Sequence, residues 1–406
     1  MKTTDEEKRI LDGQRGEPYK TAMEMLVALG EIYGAEKMTS VKSAHCAGLS
    51  LKSHGIAGCE WAEDMAKAGA RVCVPTTMNV VGVDRSRDLG LPKDWTTNQM
   101  RIEDAYECMG CYGTSSCVPY YTGFVPRFGE SIAWAESSAV VFTNSVLGAR
   151  DNREGGPSAL AAGLLGRTPL YGLHLDKNRR GDFLFKVKAK LKDVSDFGAL
   201  GAYIGRKVGT GIPVLDGLQN PYIEDLVYLG AALASSGSVA MFHAVGVTPE
   251  APTVAAAIGR RKVDSMLITD REIAEGKRLL TSAKDAKVDY VAIGCPHFSL
   301  GQLKEVATLL QGKKVSKDTV FWIHTNVAIK GLATQLGYRK IIEDAGAVLT
   351  QDLCTVLSIP EALGFKTLAT NSPKMAFYAP GGNQLMTWYG SVQQCVDAAV
   401  KGYWEA

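Results

Sequence analysis

The sequence predicts an α/β protein whose parallel sheets present their chemistry at the strand ends. Three observations predict it. Between residues 288 and 371, four short apolar runs alternate with helix-length amphipathic segments, the pattern of βαβ units. A second alternation runs from residue 39 to residue 75. The composition is that of an ordinary globular chain, with 406 residues, 46% hydrophobic and 22% charged, enough for two or three domains with their own cores.

The C-terminal alternation is the clearest. Residues 288–293 form an apolar run that leads into Gly294, Cys295, Pro296 and His297. Residues 300–311 place Leu303, Val306, Leu309 and Leu310 on one helical stripe. A second strand, 319–323, ends at His324, Thr325 and Asn326, and helical spacing returns over 328–345. Strands 347–349 and 366–369 end near Asp352 to Cys354 and near Asn371 and Ser372. Ligand crevices of such sheets lie outside the carboxyl ends of the strands. The pattern therefore brings Cys295, His297, His324, Cys354 and Asn371 to one edge.

In the N-terminal half, Pro18 suits a helix start, and residues 18–34 carry an apolar stripe. A strand at 39–43 feeds the small-residue loop of Gly48, Leu49 and Ser50. A helix at 58–68 and a strand at 71–75 follow, and the strand runs into a loop from Thr76 to Asn79. Such loops offer backbone N–H groups to an anion or serve as plain turns. A helix at 95–109 leads to Cys108 and Cys111, a single CxxC pair. One such pair without a second supports a zinc ribbon poorly. Glu136 stands in a small, apolar run, so it is expected to be buried and paired, with Arg150 or Arg153 as structural partners. Pro157 opens a helix beside that arginine loop. In the middle, residues 182–191 and 241–245 read as strands, 224–235 as an apolar helix and 272–283 as a solvated one, with His243 a core residue. The expected domains are 1–150, 151–285 and 286–406.

Net charge is +2, which gives no reason to expect a nucleic-acid or membrane-surface partner. The first 17 residues are polar and read as no leader, and no apolar run is long enough for a bilayer. The expected compartment is the cytoplasm. Nine cysteines, an odd number, without an export signal favour buried or metal-binding thiols over disulfides.

The runs Asn144-Ser-Val-Leu-Gly-Ala-Arg-Asp-Asn-Arg-Glu-Gly-Gly-Pro-Ser, Ile293-Gly-Cys-Pro-His, Ala369-Thr-Asn-Ser, Ala133-Trp-Ala-Glu-Ser-Ser and Ser116-Cys-Val-Pro-Tyr together resemble the aconitase X family. The resemblance spans nearly the whole chain. It departs at Ser116 and Val118, at Asp151, where a threonine is expected, and at Pro373. It implies an aconitase-like fold, several three-layer α/β/α units with mainly parallel sheets around a central cleft. It also implies a hydro-lyase with an iron–sulfur cluster, 4Fe-4S expected and 3Fe-4S or 2Fe-2S as alternatives. The implied ligands are Cys117, Cys295 and Cys354. The implied substrate contacts are Gly48, Leu49, Ser50, Asn79, Val80, Glu136, Ser137 and Lys374, with Ser137 or Glu136 for acid–base work. One branch of the family acts on 5-phosphomevalonate with a separate small subunit carrying a swivelling domain. Another acts on cis-3-hydroxy-L-proline with both parts fused. The end of the sequence at Ala406 and the Glu154-Gly-Gly-Pro-Ser run favour the first, a heterodimer handling a small anionic hydroxy acid. A reading of another class is a non-catalytic subunit built on a zinc site at Cys108 and Cys111.

Overall fold

The computed structural model describes residues 1–405. Three parallel sheets organise the chain, with a two-stranded antiparallel ribbon at the edge of the first unit. The first sheet has Ala44–Cys46 at its centre, flanked by Thr76–Met78 and Ala133–Trp134. The second has the order His243–Ala244, Pro213–Asp216, Phe183–Val187, Asp264–Ile268. The third has the order Val348–Gln351, Val320–Thr325, Tyr290–Ile293, Thr367–Thr370, Met386–Tyr389, with every pairing parallel. This is the α/β architecture with mainly parallel sheets that the alternation predicts.

Burial on both faces explains why the strands of the third sheet are apolar throughout. Val291 and Ile293 join one core with Phe321, Ile323 and Leu349, beneath the helices Leu300–Leu310 and Val392–Lys401. The alternate residues Tyr290, Ala292, Trp322 and Leu368 face a second core, beneath the helix Pro373–Gly382.

Several elements fall differently from the sequence pattern, each for a hydrogen-bonding reason. The predicted strand at 39–43 divides. Met38–Ser40 pairs antiparallel with Arg167–Pro169, and only Ala44–Cys46 enters the sheet. The run at 71–75 is not a sheet strand, because its amides at Val72 and Cys73 bond to the carbonyls of Met109 and Gly163. Thr76–Met78, read as a loop, is the strand itself. The helix expected from residue 58 starts at Leu51, capped by Ser50, and bends at Gly55, whose φ is 64°. The span 328–345 is two helices, Val327–Gln335 and Tyr338–Asp344, with Gly337 at φ 81° between them. The expected solvated helix, Asp270–Leu280, buries Ile273, Gly276 and Leu280. The helix Gly156–Leu165 and the strand Arg167–Pro169 pack on the first unit, where Ala159, Leu160 and Leu164 join its core.

The second unit depends on two helices in close contact, Val194–Val208 and Ile223–Gly237. A Cβ at Gly237 would lie 2.2 Å from the Gly205 carbonyl oxygen, and one at Gly201 would lie 2.6 Å from that of Leu229. Backbone cannot retreat as a flexible side chain can. Gly237→Ala is expected to cost about 1–3 kcal/mol in denaturant unfolding. An unchanged midpoint would contradict this packing.

Candidate active site

The carboxyl edges of the first and third sheets meet at a cavity of about 110 Å³. Cys117, Cys295 and Cys354 line it, together with Val80, Glu136, Ser138, His297, His324 and Lys374. Three distant stretches of sequence therefore supply the three buried thiols that the resemblance implies.

Each thiol is placed by local backbone. Cys295 follows the central strand Tyr290–Ile293 across Gly294, whose φ is +91° and whose Cβ would lie 2.2 Å from the His324 carbonyl oxygen. Cys354 follows Val348–Gln351 across Asp352, which holds φ 65°. Its amide donates to Val81 O at 2.9 Å, and the Val81 amide donates to Asp352 O at 2.9 Å, joining the first and third units. Cys117 lies just before the turn Pro119–Thr122. The preceding Ser116 amide donates to Met78 O at 3.0 Å. The His297 amide donates to Cys117 Sγ at 3.3 Å, a second link between the units.

The electrostatics favour thiolates in the presence of a cationic group. Burial pushes the Cys117 thiol up to about 12. Cys295 and Cys354 face each other, and that contact raises Cys295 while lowering Cys354, so Cys354 ionises first. The ammonium of Lys374 acts on all three sulfurs in the same sense, toward ionisation. Among the described residues, no three His, Cys, Asp or Glu side chains close tightly enough to wrap a single ion. Three buried thiols spaced around a cavity fit the corners of a cluster better than one ion. Soft sulfur donors are also the set that iron–sulfur clusters take. Cys108 is exposed and Cys111 buried in the core of the first unit. The zinc reading thus finds no ligand set among the described residues.

Glu136 caps the helix Ser137–Phe142 at the end of the strand Ala133–Trp134. Its expected partners Arg150 and Arg153 are not the ones it takes. Arg150 pairs with Asp176 at 2.9 Å and Glu250 at 3.0 Å, while Glu136 pairs with Lys374. Glu136 also accepts from Ser138 Oγ at 2.9 Å, Ser138 N at 3.2 Å and Asn79 Nδ2 at 2.8 Å. Burial alone would raise its pKa, but the Lys374 charge and the bonds from Lys374 and Ser138 hold it at about 2. Lys374 also donates to Ser137 Oγ at 3.1 Å, and its pKa is raised by Glu136 against the opposing effect of burial. Ser137 is half-buried and stands beside the cavity rather than in its wall.

The loop Gly48–Ser50 lies at the N-terminus of the helix Leu51–Lys67. Ser50 is buried, and its hydroxyl donates to Leu357 O at 2.7 Å, on the cavity wall. Among the described residues, the backbone amides of Gly48, Leu49 and Ser50 have no acceptor. Free amides at a helix start are groups that can receive an anion. Asn79 and Val80 follow the strand Thr76–Met78 on the same edge. His243 is the buried core residue expected, its Nε2 2.7 Å from Arg179 O. Asn371 is buried but not in the cavity wall, and its Nδ2 donates to Tyr228 OH at 3.0 Å.

Sequence pattern placed His297 and His324 at the edge but left their state open. Both are buried and neutral. Burial lowers His297 to about 4 and His324 to about 3. His324 is fixed on both nitrogens, by Thr350 at 2.7 Å and Thr355 at 2.8 Å. His45, on the central strand of the first sheet, is lowered by burial to about 4 and bonds Thr77 Oγ1 at 2.8 Å. No pattern marked it, since only the sheet register brings His45 beside Thr77.

Three buried thiols, a lysine–carboxylate pair and a loop of free amides converge on one cavity edge, the make-up of an enzyme active site. The chain belongs to the aconitase X family. The first domain of that family matches residues 1–177, the second 181–277 and the third 288–401. It is accordingly a hydro-lyase of that family. It is 42% identical to the phosphomevalonate dehydratase large subunit of Methanocaldococcus jannaschii, over 97% of this chain and 99% of that protein. It is 37% identical to the cis-3-hydroxy-L-proline dehydratase of Pseudomonas aeruginosa, over 97% of this chain and 69% of that protein. The crystal structure of Thermococcus kodakaraensis aconitase X in its holo-form superposes with a TM-score of 0.90 at 40% identity, covering 98% of this chain and all of that one. Among the described residues, no helix is long and apolar enough to cross a membrane.

The buried histidines fix the sign of the acid response. Their folded pKa values lie below the ordinary 6.5. Their stabilisation is therefore complete above that pH and is lost as pH falls toward 4 and 3. Glu136 adds the same sign at lower pH, between 4.5 and about 2. Unfolding free energy is expected to drop by about 2 kcal/mol per histidine between pH 7 and pH 5. A flat denaturation midpoint over that interval would show that the three imidazoles are not held neutral.

Proposed function

We propose that this chain is the large, catalytic subunit of an iron–sulfur hydro-lyase. Its reaction would be the dehydration of (R)-5-phosphomevalonate to trans-anhydromevalonate 5-phosphate, on the mevalonate route to isoprenoids. The observation that carries the reading is the free-amide loop Gly48–Ser50 beside the three-thiol cavity. It offers an anion site next to a cluster site. The relative from Methanocaldococcus jannaschii, matched end to end and itself named a large subunit, supports the substrate and a separate small subunit; that subunit would carry the swivelling domain.

Cys117, Cys295 and Cys354 would hold the cluster, 4Fe-4S in this reading, with 3Fe-4S or 2Fe-2S as the alternatives. Three protein ligands on a cubane would leave one iron to supply Lewis acidity toward a substrate hydroxyl and carboxylate. The rest of the chemistry falls to side chains. Dehydration removes a proton from the carbon next to the carboxylate, while hydroxide leaves the neighbouring carbon as water. Ser137 is the base in this reading. Its hydroxyl proton would pass to the departing hydroxide, making water, and its oxygen, stabilised as it becomes anionic by the Lys374 ammonium at 3.1 Å, would take the proton from carbon. Glu136 is too weak a base, being held at about 2. It instead fixes Lys374 and the Asn79 amide, which, with Val80, orient the substrate. The amides of Gly48, Leu49 and Ser50 take the phosphate.

The second reading is dehydration of cis-3-hydroxy-L-proline, favoured by the 37% identity to that enzyme across this chain. Offering both substrates to the enzyme, anaerobically and with its small subunit, decides between them. Turnover of 5-phosphomevalonate is expected; turnover of hydroxyproline alone would replace the first reading with the second. Ser137→Ala is expected to lower kcat by roughly 100- to 10,000-fold with cluster absorbance intact. Wild-type kcat in that variant would remove Ser137 as the base.

A further inference from the structure

Gln99 lies outside the cavity wall, on the helix Lys93–Cys108, and is fully buried. A glutamine buried within a helix needs partners for both ends of its amide. It finds them on either side of Ser50. Its Nε2 donates to Leu49 O at 2.8 Å, and its Oε1 accepts from Leu51 N at 2.8 Å. One side chain thus spans the loop whose own amides are unpaired. Glu103, one turn further along and also buried, lies 3.4 Å from the same Nε2 and sets which way the amide points.

The loop is anchored from the other side as well. Ser50 Oγ donates to Leu357 O at 2.7 Å, and Lys52 Nζ to Ser358 O at 2.9 Å. The amides of Leu357 and Ser358 donate to Cys354 O at 3.1 and 3.0 Å. The stretch that would bind the substrate anion is therefore clamped between Gln99 and the turn that carries Cys354. Gly48 holds φ +76° there. Three unpaired amides in a row are costly to keep exposed to one another without an anion, so something must prevent the loop from turning them toward nearby carbonyls.

We infer that Gln99 is a positioning residue. It holds the Gly48–Ser50 loop open and in register with the Cys354 turn, so that the loop can receive the anionic group of the substrate. The inference rests on the reading that this loop binds that group. Ser137 and Lys374 stand on other elements, so loss of Gln99 weakens capture of the substrate and leaves the proton-transfer step intact.

The test uses the complete enzyme with its cluster and small subunit, and whichever of the two hydroxy acids the wild type dehydrates. Gln99→Met keeps the length and removes both bonds. Its KM is expected to rise about tenfold or more, the loss of two hydrogen bonds, with kcat and visible cluster absorbance close to wild type. Gln99→Glu keeps the bond from Leu51 N, loses the one to Leu49 O, and should fall between. It also carries the test if the methionine variant does not fold. An unchanged KM in the folded variants, even with a lowered melting temperature, would reduce Gln99 to a packing residue and overturn the inference. A fall in kcat at constant KM would overturn it equally. A wild type that dehydrates only hydroxyproline would defeat the phosphomevalonate reading. The Gln99 inference would then be decided by the KM for that substrate.

Discussion

The site depends on a fixed seam between the first and third units. Cys117 belongs to one side, Cys295 and Cys354 to the other. A relative shift of the two would separate the thiols whatever their local geometry. Backbone hydrogen bonds lock the seam at Val81, whose carbonyl accepts from Cys354 N and whose amide donates to Asp352 O, each at 2.9 Å. The His297 amide on Cys117 Sγ and the Glu136–Lys374 pair cross the same boundary. The backbone links are buried and the ion pair is largely so, which leaves water little access to them. Removing one partner leaves an unsatisfied group in a low-dielectric interior, which costs more than the bond contributed.

The same boundary organises the charge. Among the described residues, Lys374 is the one cation on the cavity wall. It lowers Glu136, leans all three thiols toward ionisation and sits 3.1 Å from Ser137. Its own proton is held firmly because Glu136 faces it. A lysine that stays charged serves two purposes in the proposed chemistry, favouring anionic sulfur and favouring an anionic serine. The buried His45, His297 and His324 stay neutral because burial outweighs their neighbours. The interior thus holds a few fixed charges, in place before any substrate arrives.

Much of this was legible in the sequence where chemistry coincides with pattern. Cys295 and Cys354 end parallel strands, and the alternation of strand and helix places such ends on one edge. Glu136 announced its burial through its apolar neighbours. Its partner did not, because Lys374 is 238 residues away and only the joining of two units makes them neighbours. Cys117 lies in an irregular stretch held by tertiary bonds, among them Ser116 to Met78 and His297 to Cys117, so no periodicity could reveal it. The resemblance supplied it instead. Gln99 was invisible for a different reason: a glutamine in a predicted helix reads as a solvated residue until its two backbone partners are seen. The misplaced strand at 71–75 shows the same limit, since those amides bond to helix ends rather than to a sheet.

The central claim is that Cys117, Cys295 and Cys354, and no other thiols, hold one iron–sulfur cluster. Iron and acid-labile sulfide, measured per chain with the visible spectrum after anaerobic purification, test it most directly. Single serine replacements at these three positions are compared with Cys46→Ser, Cys108→Ser and Cys111→Ser. The account predicts loss of cluster iron and absorbance in each of the first three and wild-type content in the others. Full cluster content in Cys117→Ser, Cys295→Ser and Cys354→Ser, or its loss on replacing Cys108 or Cys111, would contradict it.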